Sequence, residues 1–214
     1  MQTTAVITAW KTAADIAATS LEHESWNTAQ SVPITRYWSG AEAPAHRHAE
    51  ARLVWSEQSL GVRFVCRQEE SLVVSANPQA DTKTLGLWDR DVCEIFVAPD
   101  LAAPNHYFEF EAAPTGEWID LELQARLGGR DTNWEFESGM TAAARSEGNE
   151  IVVALRIPWS EAIPKPAPGV QWRINLCRCI GGDPDRGYLA WQPTRTKEPN
   201  FHVPDVFGSL IFAD

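Results

Sequence analysis

Three short stretches set polar or aromatic side chains where their types and spacing could do chemistry. In LWDRDVCEIFVAPD (87–100) a strand-like alternation puts Cys93, Ile95 and Val97 on one face and Val92, Glu94 and Phe96 on the other. Glu94 is thus an acid between two hydrophobes, and a carboxylate in that setting needs a partner or a use. Trp88 precedes the strand in a loop, where a large aromatic is less obviously core. In WRINLCRCI (172–180), Arg178 falls on the stripe of Trp172, Ile174, Leu176 and Ile180, while Asn175 points the other way. Two readings stay open for these groups. A structural Glu94–Arg178 pair would satisfy both strands, or both side chains, with Asn175 assisting, would hydrogen-bond the hydroxyls of a ligand. The third stretch, YLAWQPTRTKEPNFHVPDVFGSLIF (188–212), ends a strand at Trp191, with Gln192 and Asn200 nearby in a Pro-rich loop. Trp88 and Trp191 would together make an aromatic clamp. An indole offers a flat apolar face and one N–H donor, which suits a sugar ring, apolar on its faces and polar at its edge. The chain holds 10 tryptophans against 3 tyrosines.

Catalytic chemistry has less support. Neither a GxSxG elbow nor an HExxH pair is present. His46 and His48 stand two apart, too few for a metal site. Asp89, Asp91, Glu94, Glu109, Glu111, Asp120 and Glu122 could supply a glycosidase pair, but the chain alone does not give their separations. Haem ligation would call on Met1 or Met140, neither beside a histidine in sequence. The reading is a binding protein, not an enzyme.

The net charge of −11 is the opposite of what counterion release from nucleic acid requires. Anionic membrane surfaces are disfavoured for the same reason, and no apolar run reaches 18 residues. Neutral polyols and cationic ligands stay compatible. Residues 1–20 lack a positive stretch followed by a long apolar one. Cys177 and Cys179 stand two apart in one strand, roughly 6.5–7 Å at Cα, a poor geometry for a disulfide. Four free, buried thiols (Cys66, Cys93, Cys177, Cys179) fit a reducing, cytoplasmic compartment.

The elements that must position these groups are short strands. The alternation predicts strands at 51–56, 60–67, 92–98, 106–112, 117–123, 133–138, 140–146, 150–157, 171–180, 187–192 and 207–212, with Gly148-Asn149 as a tight turn and a helical turn from Pro158 to Glu161. Many short strands, Gly/Pro turns and no long amphipathic helix predict an all-β fold: a two-sheet antiparallel β-sandwich with little helix, as one domain over 1–214.

From about residue 50 to 212 the chain resembles the family nine carbohydrate-binding modules and their DOMON-like relatives. Four blocks carry the likeness: ARLVWSEQSLGVRFVCR, WDRDVCEIFVAPD, WRINLC, and AWQPTRTKEPNFHVPDVFGSLIF with its Phe207-Gly208 turn. The resemblance implies a β-sandwich that binds a mono- or oligosaccharide between two Trp faces, here Trp88 and Trp191, with Glu94, Asn175 and Arg178 as polar contacts. It implies no cofactor beyond a structural calcium. Two positions depart from the family pattern: an acid falls at Gln68 and a basic ligand contact at Glu109, which alters the polar half of the sugar cage. The alternative readings are an interaction module that has lost sugar binding, a haem-binding DOMON domain, and a carbohydrate-active enzyme.

Overall fold

A computed structural model describes residues 5–214; Met1 lies outside them. Among the described residues there are thirteen strands: β1 (Val6–Lys11), β2 (Val32–Ile34), β3 (Ala49–Trp55), β4 (Ser59–Arg67), β5 (Val92–Ala98), β6 (His106–Ala112), β7 (Trp118–Arg126), β8 (Gly129–Asn133), β9 (Thr141–Glu147), β10 (Glu150–Pro158), β11 (Gln171–Ile180), β12 (Gly187–Ala190) and β13 (Gly208–Ala213). They follow one hydrogen-bonded path, β8-β7-β6-β5-β11-β13-β1-β3-β4-β10-β9, with β12 added to β11 and β2 to β3. The path doubles back at the β11–β13 junction, so that β6 packs on β10 as the two layers of a sandwich. β11 makes the junction by sharing one edge: Gln171–Ile174 pair with β13, and Cys177–Ile180 pair with β12.

The alternation of the sequence accounts for the interior. Val62, Phe64 and Cys66 of β4 and Val153 and Leu155 of β10 meet Cys93, Ile95 and Val97 of β5 and Phe108 and Phe110 of β6. Trp172 of β11 stands edge-on to Phe212 of β13, ring centroids 4.8 Å apart. The opposite face of the β5–β6–β7–β11 layer is also apolar. Val92, Phe96, Tyr107, Leu121 and Cys177 pack there beneath Leu87, Phe201 and Phe207 from two long loops. That second core fixes the loops to the sheet. Met140 is buried in the sandwich interior, and all four cysteines are buried and unpaired.

The structure differs from the expected elements in four places. β1 and β2 have no counterpart among the expected strands, and β1 runs parallel to both β13 and β3, so the sandwich is not purely antiparallel. The strand expected at 133–138 does not extend past its first residue: β8 closes at Asn133. Its continuation is held by side chains instead of a ladder. Buried Asp120 accepts hydrogen bonds from the Ser138 backbone N–H and hydroxyl, both 2.6 Å, and Lys83 donates to the Phe136 carbonyl. The helical turn expected at 158–161 does not form: Pro158 ends β10 and the chain bends from Glu161, and among the described residues the one α-helical turn, α1, lies at Ser25–Thr28. Gly148 takes φ +57° in the two-residue β9–β10 hairpin, the backbone that its turn demands.

Asp120 also accepts an ion pair from Lys83 at 2.8 Å. Replacing it with asparagine keeps the shape and removes the charge. The expected loss is roughly 1–2 kcal/mol, since hydrogen bonds to charged groups are the stronger kind. Thermal unfolding measures it, and an unchanged midpoint would mean that segment 134–140 is held by other contacts.

Candidate functional site

A cavity of about 280 Å³ opens on the outer face of the β5–β6–β7–β11 layer. Its walls are aromatic: Trp88, Trp134, Tyr188, Phe201 and His202. Glu94 and Glu109 stand on its floor with Leu121 and Cys179. A shallower groove adjoins it, sharing Arg130, Asn200 and His202.

Strand parity puts the carboxylates together. Glu94 of β5 pairs with Glu111 of β6, and Glu109 pairs with Phe96, so all three acids project from the same face. One ligating oxygen from each lies within 4.8 Å of the others. All are buried, and Glu111 is fully so. The Cys179 thiol donates to a Glu94 oxygen at 3.1 Å, while both Glu111 oxygens lack any hydrogen-bond donor. Burial, then the neighbouring acids, pushes the Glu94 and Glu111 carboxyls well above the usual carboxylate range; burial does the same to Glu109. Burial also holds the His202 imidazole down to about 3, with Arg130 adding to the effect. Its Nδ1 is therefore free to accept from the Tyr107 hydroxyl 3.1 Å away.

The aromatic walls are held by backbone contacts. Trp88 sits in a 3-10 turn, Leu87–Asp89, entered through Gly86 at φ +76°. Buried Leu87 anchors the turn, and Arg186 donates to the Trp88 and Arg90 carbonyls at 2.7 and 2.8 Å. Trp134 stands beside it, ring centroids 6.0 Å apart and tilted by 46°.

Of the five expected contact residues, Trp88 and Glu94 come together at this cavity. Asn175 lies beneath it and is fully buried. Its amide donates to the Gln192 carbonyl at 3.0 Å, and its Oδ1 accepts the Gln192 N–H at 2.9 Å. It therefore fastens the start of the loop that carries Asn200, Phe201 and His202.

Arg178 and Trp191 are elsewhere, and the pleat explains both. Arg178 pairs with Cys93 while Glu94 pairs with Cys177, so Arg178 and Glu94 project from opposite faces. The expected Glu94–Arg178 pair does not form. Arg178 instead donates inside the sandwich to the carbonyls of Arg47 and Arg67 and to Gln68, at 2.9, 2.8 and 2.7 Å; Gln68 in turn donates to Asp91. On the strand leading to Trp191, Leu189 faces the interior and Tyr188 the outer side. Trp191 follows Leu189 inward and lays its ring over Gly208. The structure does not bring Trp88 and Trp191 together; Trp134 is the indole beside Trp88, and Tyr188 is the aromatic that β12 sends to the cavity. The sequence signal for Trp134 is a tryptophan in the polar run RDTNWEFES, where it is 46% exposed.

A calcium shell takes six to eight oxygens, commonly with backbone carbonyls and water. Glu94, Glu109 and Glu111 are the one group of three acidic, His or Cys side chains close enough to share an ion among the described residues. Asp89, Thr132 and Asn200 also line the cavity, but no fourth acidic, His or Cys side chain joins the group, and three carboxyls alone fall short of such a shell. His46 and His48 are not part of such a group, and His48 Nε2 is spent on the Ala43 carbonyl at 2.8 Å.

Solved structures that share this architecture are distant in sequence. A Bacteroides uniformis protein assigned provisionally to carbohydrate binding has 16% identity and a TM-score of 0.77, over 98% of this chain and 100% of that one. A family 9 carbohydrate-binding module from Caldicellulosiruptor kristjanssonii in complex with cellotriose has 14% identity and a TM-score of 0.68, over 98% and 94%. The module from that organism in complex with glucose has 15% identity and a TM-score of 0.67, over 97% and 95%. At these identities the likeness establishes the fold. A search of the curated proteins finds no match. The profile of the carbohydrate family 9 binding domain-like family matches residues 18–214, beginning some way before the blocks that carried the resemblance, and the chain belongs to that family.

Proposed function

We propose that this protein is a non-catalytic carbohydrate-binding protein that seats one sugar residue in the Trp88–Trp134 cavity. The observation that carries the reading is the composition of that cavity: indole faces at the wall and carboxylates on the floor, on a fold of the family 9 type. Stacking of C–H surface on Trp88 and Trp134 excludes water, and Glu94 and Glu109 then receive hydroxyl hydrogen bonds in a low-dielectric setting. Asn175 and Arg186 are positioning residues: one ties down the Asn200–His202 loop, the other the Trp88 turn. The adjoining groove past Arg130 and Asn200 gives a second sugar unit somewhere to lie. A glycosidase reading is disfavoured because its two carboxyls must flank the scissile bond, whereas these acids project side by side from adjacent strands.

Isothermal titration with mono- and oligosaccharides tests the proposal, followed by tryptophan fluorescence. Saturable binding is expected for at least one sugar. Trp88→Ala should weaken it by at least about tenfold, in line with the worth of an aromatic contact in a desolvated site, and leave the circular dichroism spectrum unchanged. A broad panel without any binding would move the reading to an interaction module. Trp191→Ala should leave the affinity of the folded protein unaltered.

A further inference from the structure

The four cysteines fall into two pairs on opposite faces of the β5–β11 layer. Cys177 and Cys179 lie in the outer core, where burial and then Glu94 push both thiols far up. Cys66 of β4 and Cys93 of β5 belong to the sandwich interior and are buried. Their strands are in different layers: β4 is hydrogen-bonded to β3 and β10, β5 to β6 and β11. Across the space between the layers the two Sγ atoms stand 3.5 Å apart. Arg178 is the Cα partner of Cys93 and projects from the same face. Its guanidinium hydrogen-bonds neutral acceptors, backbone carbonyls and Gln68, so its charge stays available to the sulfurs. The hydrogen bond with Cys93 draws the Cys66 thiol down to about 7 against burial, with Arg178 adding to the effect. The same bond keeps the proton on Cys93. A cavity of about 500 Å³ opens beside them. Its lining includes Arg67, which follows Cys66 in the chain, and His48 and Gln68, which accept from Arg178.

We propose that Cys66 and Cys93 are a modification site: a pair of thiols that hydrogen peroxide closes into a disulfide joining the two layers of the sandwich. The Cys66 thiolate attacks one oxygen of the peroxide. The O–O bond breaks, leaving a sulfenic acid on Cys66 and a hydroxide that takes up the proton Cys66 released. The Cys93 sulfur, giving up its own proton, then attacks the sulfenic sulfur. An S–S bond forms, the S–O bond breaks, and the oxygen leaves as water with that proton. Two thiols lose two electrons, and the peroxide becomes two waters. Arg178 stabilises the thiolate on which the first step depends. The sulfurs have roughly 1.5 Å to close. Cys177 and Cys179 stand two apart on one strand, a span poorly suited to a disulfide. The new bond would close the segment 67–92, which carries Trp88, at the base where Gln68 already donates to Asp91 at 2.7 Å. A crosslink there restricts the unfolded chain and so favours the folded one. The chemistry is independent of sugar binding.

The test exposes the whole reduced, folded chain to hydrogen peroxide at neutral pH, then denatures it, alkylates the remaining thiols and maps the peptides by mass. Two of the four thiols are expected to escape alkylation. The peptides holding Cys66 and Cys93 should be linked, and dithiothreitol should restore both. The midpoint of thermal unfolding should rise by roughly 5–10 °C in the oxidised form. Cys66→Ala should lose the link and the rise, while Cys177→Ala should keep both. The peptide map of the unsubstituted chain decides the matter even if Cys66→Ala does not fold. Four thiols still open to alkylation would overturn the proposal. So would Cys66 carried on to a sulfinic acid without a link, a Cys177–Cys179 link, or a Cys66–Cys93 link that forms only in denaturant. A link with an unchanged or lower midpoint would overturn the fit of the crosslink to the folded sandwich.

Discussion

Gly208→Val is expected to lower the stability of the protein by roughly 3 kcal/mol, with the larger share of the cost coming from one ring. A Cβ at position 208 would lie 2.4 Å from two atoms of the Trp191 indole and 2.9 Å from the Ala5 carbonyl oxygen. Real carbon atoms do not approach so closely. The strand or the indole must shift, and β13 cannot shift freely because it is paired with β1 on one side and β11 on the other. For a chain of this size the midpoint of thermal unfolding should fall by roughly 5–10 °C. The control is Gly208→Val in a Trp191→Ala background. Removing the indole costs stability by itself, but it leaves room for the new side chain, so the two changes should be strongly non-additive. Additive losses would mean that the ring does not sit over Gly208. The same pair of variants separates a structural Trp191 from a sugar-contacting one.

The second expected result is a stability that falls as the pH rises from about 5 to 8, reversed locally by Glu111→Gln. The folded-state pKa values of Glu94 and Glu111 are raised by burial and then by the neighbouring acids, and that of Glu109 by burial. A raised carboxyl pKa means that the folded protein holds protons the unfolded chain has already released. Its contribution is therefore fully present below the ordinary carboxylate pKa and is lost as the pH climbs through the folded value. His202 works in the opposite sense. Its folded pKa is held down to about 3, so its contribution is present above the ordinary imidazole pKa and is lost as the pH falls. The three acids outweigh the one imidazole wherever both act, so the optimum falls near the ordinary carboxylate value, about pH 4 to 5. Neutralising Glu111, whose folded-state pKa is raised by burial and then by the neighbouring acids, should therefore stabilise the protein more at about pH 8 than at about pH 5. Chemical denaturation at the two pH values measures the difference. An equal effect at both would mean that the three acids are already compensated by a cation.

Much of this is legible from alternation. The faces of β5, β6 and β11 follow from period two alone, and with them the projection of Glu94 beside Phe96 and of Arg178 beside Trp172. Alternation within a strand cannot tell which residue of the next strand stands opposite, so the same rule that puts Arg178 on an apolar stripe cannot exclude a pair with Glu94. Register decides it: Arg178 meets Cys93, and the two charges part to opposite sides of the sheet. Trp191 escapes the sequence for a related reason. The end of β12 looks like a loop edge in sequence, but the indole continues the inward face set by Leu189. Trp134 is hidden as long as 133–138 reads as strand, because Asp120 and Lys83, both distant in sequence, hold the backbone there instead. β1 goes unmarked because two of its outward side chains, Val6 and Trp10, are as apolar as the inward Ile7 and Ala9.

Val6 of β1 pairs with Ser209 of β13, and on its other edge β1 pairs with β3. The first strand of this fold to be made therefore lies in the middle of the sheet, with one neighbour that is made long after it. The half of the sandwich containing β3, β4, β10 and β9 can form hairpins as it emerges, but β1 keeps an open edge until β13 has left the exit tunnel. Closure by contacts so far apart in sequence is slow, and an unpaired edge during that wait is open to other chains. The β1–β13 pairing is the last contact of the sheet that the order of synthesis makes available.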